Sequence, residues 1–164
     1  MTLEHAHHQH EHHARAQERD SLTGLAVSAT IHCLTGCAIG EVFGMVMGVA
    51  FGWSNAATVA LSVVLAFLFG YSMTLSPLLA GGMTFRMAAG LALASDTLSI
   101  TVMEIVDNAV VLMIPGAMDA GLSSLLFWGS LALSLAVAFI AALPVNRWLI
   151  SRGRGHALIH AHHH

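Results

Sequence analysis

Two short stretches of the chain concentrate the side chains that could do chemistry. In the first, Cys33, Cys37 and Glu41 recur every four residues, so on an α-helix they form one stripe. His32 lies about 100° to one side of Cys33 on such a helix. Thiolate and imidazole groups are ligands that suit Cu(I) and Zn(II). We therefore expect these four residues to contribute to a transition-metal site.

The second stretch places three carboxylates on one side of a helix. Asp96, Met103, Glu104, Asp107 and Asn108 fall within an arc of roughly 140°, and the other face carries Leu, Ile and Val. Carboxylates in an apolar helix cannot face lipid and need a partner. No arginine of the chain lies at this depth. The compensating charge is therefore expected to be a proton, a metal ion or a cationic substrate.

The elements that must position these residues are apolar helices. The chain has 164 residues, of which 56% are hydrophobic and 9% charged, whereas soluble proteins carry about 25% charged residues. Four apolar stretches, at about 22–53, 56–79, 84–114 and 124–150, each exceed the ~20 residues that cross a bilayer. Because 56–79 and 123–146 contain no charged residue, a soluble bundle is disfavoured. The sequence predicts an all-α integral membrane bundle of about four transmembrane helices, embedded in lipid.

The arginines predict the orientation of this bundle. The chain has no lysine, and its six arginines lie before the first stretch, beside the connection between the second and third, and at the end of the fourth. The positive-inside rule then places both termini in the cytoplasm. Trp53 and Trp128 would mark the opposite interface and Trp148 the cytoplasmic one, as in an aromatic belt. We expect a multi-pass protein of the bacterial inner membrane.

Spacing within the first and third helices adds two predictions. Glycines recur every four residues in the first helix and form a groove for close helix packing, a glycine zipper; they are Gly36, Gly40, Gly44, Gly48 and Gly52. Such a groove favours a homo-oligomer. The first and third helices run in the same direction, which should place Cys33 level with Asp96, and Glu41 level with Glu104. Expected N-caps are Asn55, Thr84 and Ser123, and the fourth helix should cover the bundle.

The two ends of the chain are polar and hold eleven of the twelve histidines. Residues 1–20 are expected to form a His-rich tail that is disordered alone, residues 21–150 the transmembrane domain and residues 151–164 a second His-rich tail. His-rich tracts bind metals, which suggests metal delivery or buffering. His162, His163 and His164 are either native or a purification tag. With a net charge of −3, little would neutralise phosphates, and we expect no nucleic-acid partner.

The segments HCLTGCAIGE (32–41) and DTLSITVMEIVDN (96–108) resemble the bacterial membrane family known as domain of unknown function 4396. The resemblance covers about residues 22–160 and implies a small helical inner-membrane protein. It brings no assigned activity. The residues to which its motifs point are those chosen above on physical grounds: His32, Cys33, Cys37, Glu41, Asp96, Glu104, Asp107 and Asn108.

Three functions remain open at this point. The first is binding or transport of a transition-metal ion, where copper would use cysteine and methionine, including Met45, Met73 and Met103, and zinc or nickel would use histidine and carboxylate. The second is an intramembrane enzyme, either metal-dependent or based on thiol redox chemistry. The third is a proton-coupled carrier of a small organic cation or sulfur compound. We expect the bound metal to be Cu or Zn, and the first function is the one that the residues support best.

Overall fold

A computed structural model describes the backbone of residues 2–152 and the side chains of residues 20–152. Its four long α-helices are α1 (Thr2–Phe51), α2 (Asn55–Ala80), α3 (Phe85–Met113) and α4 (Leu125–Ser151), and a 3₁₀ helix, Ala117–Asp119, precedes α4. Asp20–Phe51 of α1 and the whole of the other three are long and apolar enough to span a membrane. The predicted all-α fold of four membrane-spanning helices is confirmed.

The short connections make neighbouring helices antiparallel, which gives the bundle two distinct ends. We call the end that holds the beginning of the α1 span, the 81–84 connection and the end of α4 the terminal end. The loop end holds the connections at 52–54 and 114–124. That the terminal end faces the cytoplasm of a bacterium stays a prediction.

The predicted tails lie largely outside what the structure describes. The backbone of α1 is already helical at Thr2, while the histidine side chains before residue 20 and all of residues 153–164 are outside the described residues. The domain boundaries at 20 and 150, and the role of the His-rich tracts, therefore stay predictions.

Two of the three expected N-caps are wrong by one residue. Ser54, not Asn55, caps α2, because its hydroxyl accepts from the backbone N–H of Ala57 at 3.4 Å. Ser124, not Ser123, caps α4 and accepts from the N–H of Leu126 at 3.1 Å. Both serines have extended backbone, as N-caps require. Thr84 does occupy the N-cap position of α3, although its side chain makes no capping hydrogen bond.

The glycine groove of α1 is filled by α2 of the same chain. A Cβ added at Gly36 would lie 2.7 Å from the Cα of Gly70, a distance that packed atoms do not adopt. The facing pairs recur every four residues along both helices: Gly36 with Gly70, Gly40 with Ala66, Gly44 with Ser62, and Gly48 with Thr58. Gly52 is not part of this packing; it ends α1 with a φ of +64°. The homo-oligomer stays a prediction, but this groove no longer supports it.

Replacing Gly40 with alanine is expected to destabilise the bundle by about 1–3 kcal/mol, the usual cost of overpacking. The new methyl group would collide with the backbone of Leu65 and Ala66, which cannot move without shifting α2. Unfolding of the reconstituted protein in increasing SDS measures the effect. Gly90→Ala is the matched control, because a Cβ at Gly90 meets nothing within 4 Å. Equal stability of the two variants would contradict close α1–α2 packing.

The inward faces of the other helices also repeat every four residues. On α2 and α4 the buried positions are mostly small or hydroxyl-bearing: Thr58, Ser62, Ala66, Gly70 and Thr74, and Ser130, Ser134, Ala138, Ala142 and Asn146. The buried face of α3 instead includes its three carboxylates. Large apolar side chains such as Leu112 and Ile140 point outward and are 69% and 70% exposed, as a lipid-facing surface requires. The fold thus places the acidic face of α3 inside the bundle.

Candidate cation site

The functional residues predicted on α1 and α3 form one continuous feature, which we call the polar column. It consists of His32, Cys33, Cys37, Glu41, Asp96, Glu104 and Asp107. All are buried except His32, which is half-buried. Their neighbours along the bundle divide the column into three levels, from the terminal end to the loop end.

At the level nearest the terminal end, Cys33 and Asp96 are neighbours, as the sequence predicts. One carboxyl oxygen of Asp96 accepts a hydrogen bond from the Ser95 hydroxyl at 2.7 Å. Its other oxygen and the Nε2 of His32 are buried without a hydrogen-bond partner. His32 and Thr74 also lie close to this carboxyl. A histidine, a thiol and a carboxyl are therefore gathered here.

At the middle level, Cys37 lies beside Glu104. Cys37 is fully buried, and apart from its thiol neither carboxyl oxygen of Glu104 has a hydrogen-bond partner. Met103 and Ile100 are also buried, in the same apolar cluster as the two cysteines. This level is an acid and a thiol within apolar packing.

At the level nearest the loop end, Glu41 lies beside Asp107 and close to Glu104. Both oxygens of Glu41 and Oδ1 of Asp107 are buried, and the two carboxyls have no hydrogen-bond partner for these oxygens except each other. Asn108 does not compensate for them, since its side-chain amide donates to the backbone carbonyl of Glu104 at 2.9 Å. Like charges this close cannot both remain ionised unless a proton or another cation lies between them.

No arginine among the residues with described side chains neutralises the column. Arg86 is in the first turn of α3, and Arg147 and Arg152 are in or after the last turns of α4, all at the terminal end. Arg152 instead stacks over the Trp148 ring, 4.7 Å from its centroid. The expectation that no arginine reaches these carboxyls is met throughout residues 20–152.

A cavity adjoins the column at each end. The terminal cavity, of about 20 Å³, is lined by residues that include His32, Cys33, Asp96 and Asn146. The loop cavity, of about 60 Å³, is lined by residues that include Glu41, Met45, Asp107, Asn108 and Ser130. Each is large enough for at least one water molecule. Neither cavity is lined by Cys37 or Glu104, which are both buried. Neither cavity therefore extends to the middle level, and in this sense we call that level closed.

The column is not a preformed metal cage. Within the part of the chain that the structure describes, no three His, Cys, Asp or Glu side chains are grouped so that they could hold one ion. The predicted ligands lie together along α1 and α3 but are spread over three levels. Each level offers two or three ligand groups. Water or a side chain that moves would have to complete the coordination of an ion there.

The family of this chain is clear. A family model described as Domain of unknown function (DUF4396) matches residues 24–155, which include both motif-bearing segments. The chain belongs to the DUF4396 family. No curated protein and no solved structure matches it. The resemblance seen in the sequence is confirmed, and the activity must be argued from the column itself.

In this DUF4396 protein, α4 does more than cover the bundle. Ser134 lies beside Asp107, and the side-chain amide of Asn146 donates to the Thr30 hydroxyl at 2.8 Å. Ser99 of α3 is another residue that sequence reasoning missed: it is fully buried, and its hydroxyl lies beside the Cys33 thiol. The four-residue repeat of small and polar residues on α4 was the signal that could have shown its inward face.

Proposed function

We propose that this protein binds a transition-metal cation inside the membrane and passes it along the polar column. The observation that carries the proposal is a set of four buried carboxyl groups, those of Glu41, Asp96, Glu104 and Asp107, which hold six oxygens without a well-formed hydrogen bond. Their polar neighbours include one another, the two thiols and the hydroxyls of Thr74 and Ser134. A charged group left unpaired in an apolar interior is costly, and intramembrane acids mark ion or proton pathways. A visiting cation gives these carboxyls the positive charge that no arginine among the described residues supplies.

The thiols favour a transition metal over a hard cation. Cys33 lies at the terminal-end level beside Asp96, and Cys37 lies at the middle level beside Glu104. Both are free cysteines. Thiolates select Cu(I) and Zn(II), whereas Mg²⁺ and Ca²⁺ prefer oxygen ligands alone. A cation of the copper or zinc and nickel class would meet a sulfur ligand at both of these levels.

The spread of ligands favours movement over storage. Conduction requires sites that bind strongly enough to admit an ion but weakly enough to release it. Pairs of donors at successive levels meet that requirement better than a closed set of four ligands does. A cavity at each end and a closed middle level also fit a transporter whose site opens to one side at a time.

Replacing both cysteines with serine is expected to lower transition-metal uptake at least tenfold, or about 1.4 kcal/mol in binding free energy. Serine keeps the size of the side chain but removes the soft ligand. Full-length wild type and Cys33→Ser/Cys37→Ser are compared in proteoliposomes, with metal content measured by mass spectrometry. The His-rich tails are the same in both, so they cancel in the comparison.

A third variant controls for the number of thiols. Adding Ser72→Cys to the double variant restores a thiol on the exposed face of α2, away from the column, and should not restore uptake. Equal metal uptake by wild type and the double variant would remove the cysteines from the role. Thiols whose alkylation changes between oxidised and reduced membranes, without metal uptake, would favour the alternative of an intramembrane thiol-redox enzyme.

A further inference from the structure

We propose that Met45 and Met118 form a thioether constriction that selects a soft monovalent cation, Cu(I) or its analogue Ag(I), at the loop end of the column. This inference rests on the proposed function and specifies its substrate. Met45 is on α1, and Met118 is in the 3₁₀ helix that precedes α4. The two are 73 positions apart in the sequence but line the same space.

The constriction lies between two adjoining spaces. On one side is the loop cavity, with Glu41 and Asp107 in its wall. On the other is a wider vestibule of about 240 Å³ at the loop end, lined by residues that include Trp53, Asn55 and Asp119. The residues that line both spaces are Met45, Val59 and Met118. These three side chains, of which two are thioethers, therefore lie where the two spaces adjoin, on the direct path of an ion from the vestibule to Glu41.

The groups on both sides of the constriction suit a cation. In the vestibule, the exposed carboxylate of Asp119 is held by the Asn55 side-chain amide, which donates to it at 3.0 Å. In the loop cavity, Glu41 and Asp107 are 7% and 5% exposed, and three of their oxygens have no partner except the other carboxyl. The path thus leads from an accessible negative charge, past two sulfurs, to buried carboxyls that need a positive partner.

The chemistry of the constriction separates soft from hard ions. A thioether is an uncharged soft ligand that binds Cu(I) and leaves Mg²⁺ and Ca²⁺ to carboxylates and water. The deeper levels of the column continue the series, with Cys37 and then Cys33. A soft cation would find sulfur at successive steps from the vestibule to the terminal cavity. Zn²⁺ would gain little from the first step, because its protein ligands are thiolate, imidazole and carboxylate.

Replacing both methionines with leucine tests this inference. Leucine conserves the volume and apolar character of methionine but removes the sulfur. Full-length wild type and Met45→Leu/Met118→Leu are reconstituted in proteoliposomes, and uptake of Ag(I) and of Zn(II) is measured for each. We expect Ag(I) uptake to fall at least tenfold and Zn(II) uptake to stay at the wild-type level. Met113→Leu is the matched control, because this methionine is 81% exposed on the outer face of α3.

The possible outcomes separate this inference from the proposed function. Unchanged Ag(I) uptake in the double variant, or an equal loss of Ag(I) and Zn(II), would overturn selection by the thioethers. Wild-type uptake of Zn(II) without Ag(I) would overturn it as well but would leave a transition-metal path in place. Uptake of neither cation by the wild type would overturn both.

Discussion

Replacing Glu104 with glutamine is expected to abolish cation uptake and, at the same time, to make the protein more stable. Glu104 is 5% exposed at the closed middle level of the column, and its carboxyl oxygens have no hydrogen-bond partner except the Cys37 thiol. Glutamine has nearly the same size and shape but cannot ionise. It therefore removes the negative charge that would hold a cation beside Cys37, and it also removes the cost of burying that charge.

The expected gain in stability is about 1–3 kcal/mol, because an intramembrane carboxylate costs about 2.5–3.5 kcal/mol on the milder insertion scale. Unfolding in SDS gives the stability, and metal uptake into proteoliposomes gives the function. Asp119→Asn is the matched control for stability, since it neutralises an exposed acid outside the column. Asparagine keeps a side-chain oxygen that can accept from Asn55, so stability should be unchanged. A Glu104→Gln protein that is less stable than wild type would show that the carboxyl has a stabilising partner in the resting protein.

The opposite directions of the two effects make the test specific. When a residue serves packing alone, its replacement lowers the stability of the protein, and activity falls only because the protein unfolds. When a functional group is buried at a cost in free energy, its replacement lowers activity but raises stability, because activity and stability compete at such a site. A loss of uptake together with a gain in stability would therefore identify Glu104 as functional and not structural.

The sequence was sufficient to predict the column because the main signals are local. The spacing of Cys33, Cys37 and Glu41 places them on one helical stripe, and helix direction follows from counting spans. Cys33 is next to Asp96 as predicted. Glu41 does lie close to Glu104, but it lies beside Asp107 as well. Asp107 is three residues beyond Glu104 on α3, which is about 4.5 Å at the rise of an α-helix. An error of a few residues in the expected start of a helix is as large as this distance, so the sequence does not show which of the two lies beside Glu41.

Contacts between distant segments could not be predicted in the same way. The glycine groove of α1 indicates close packing but does not identify its partner, and α2 of the same chain fills it. The hydrogen bond from Asn146 to Thr30 joins residues 116 positions apart. Met118 gave no signal at all, because its position depends on the 3₁₀ helix between α3 and α4. Uncharged side chains carry little information about what they face until the helices are packed.

Filling the loop cavity is expected to block transport without abolishing binding. Ser130 is buried in the wall of this cavity, and its hydroxyl donates only to carbonyls of its own helix, those of Leu126 and Phe127. Leucine at this position would occupy the space beside Glu41 that a moving cation needs. The lost hydroxyl contacts lie within α4 and compete with helical hydrogen bonds, so the fold should tolerate the change.

For Ser130→Leu we expect metal flux through proteoliposomes to fall at least tenfold, while metal bound at equilibrium stays near the wild-type amount. Binding persists because the terminal-end level, with Cys33 and Asp96, adjoins a different cavity. Gly129→Leu is the matched control: it adds the same side chain one residue earlier on α4, where a Cβ meets nothing within 4 Å. Unchanged flux in Ser130→Leu would mean that cations do not cross the loop cavity. The polar column would then be a binding site reached from the terminal end alone, and the case for transport would be lost while the case for metal binding remained.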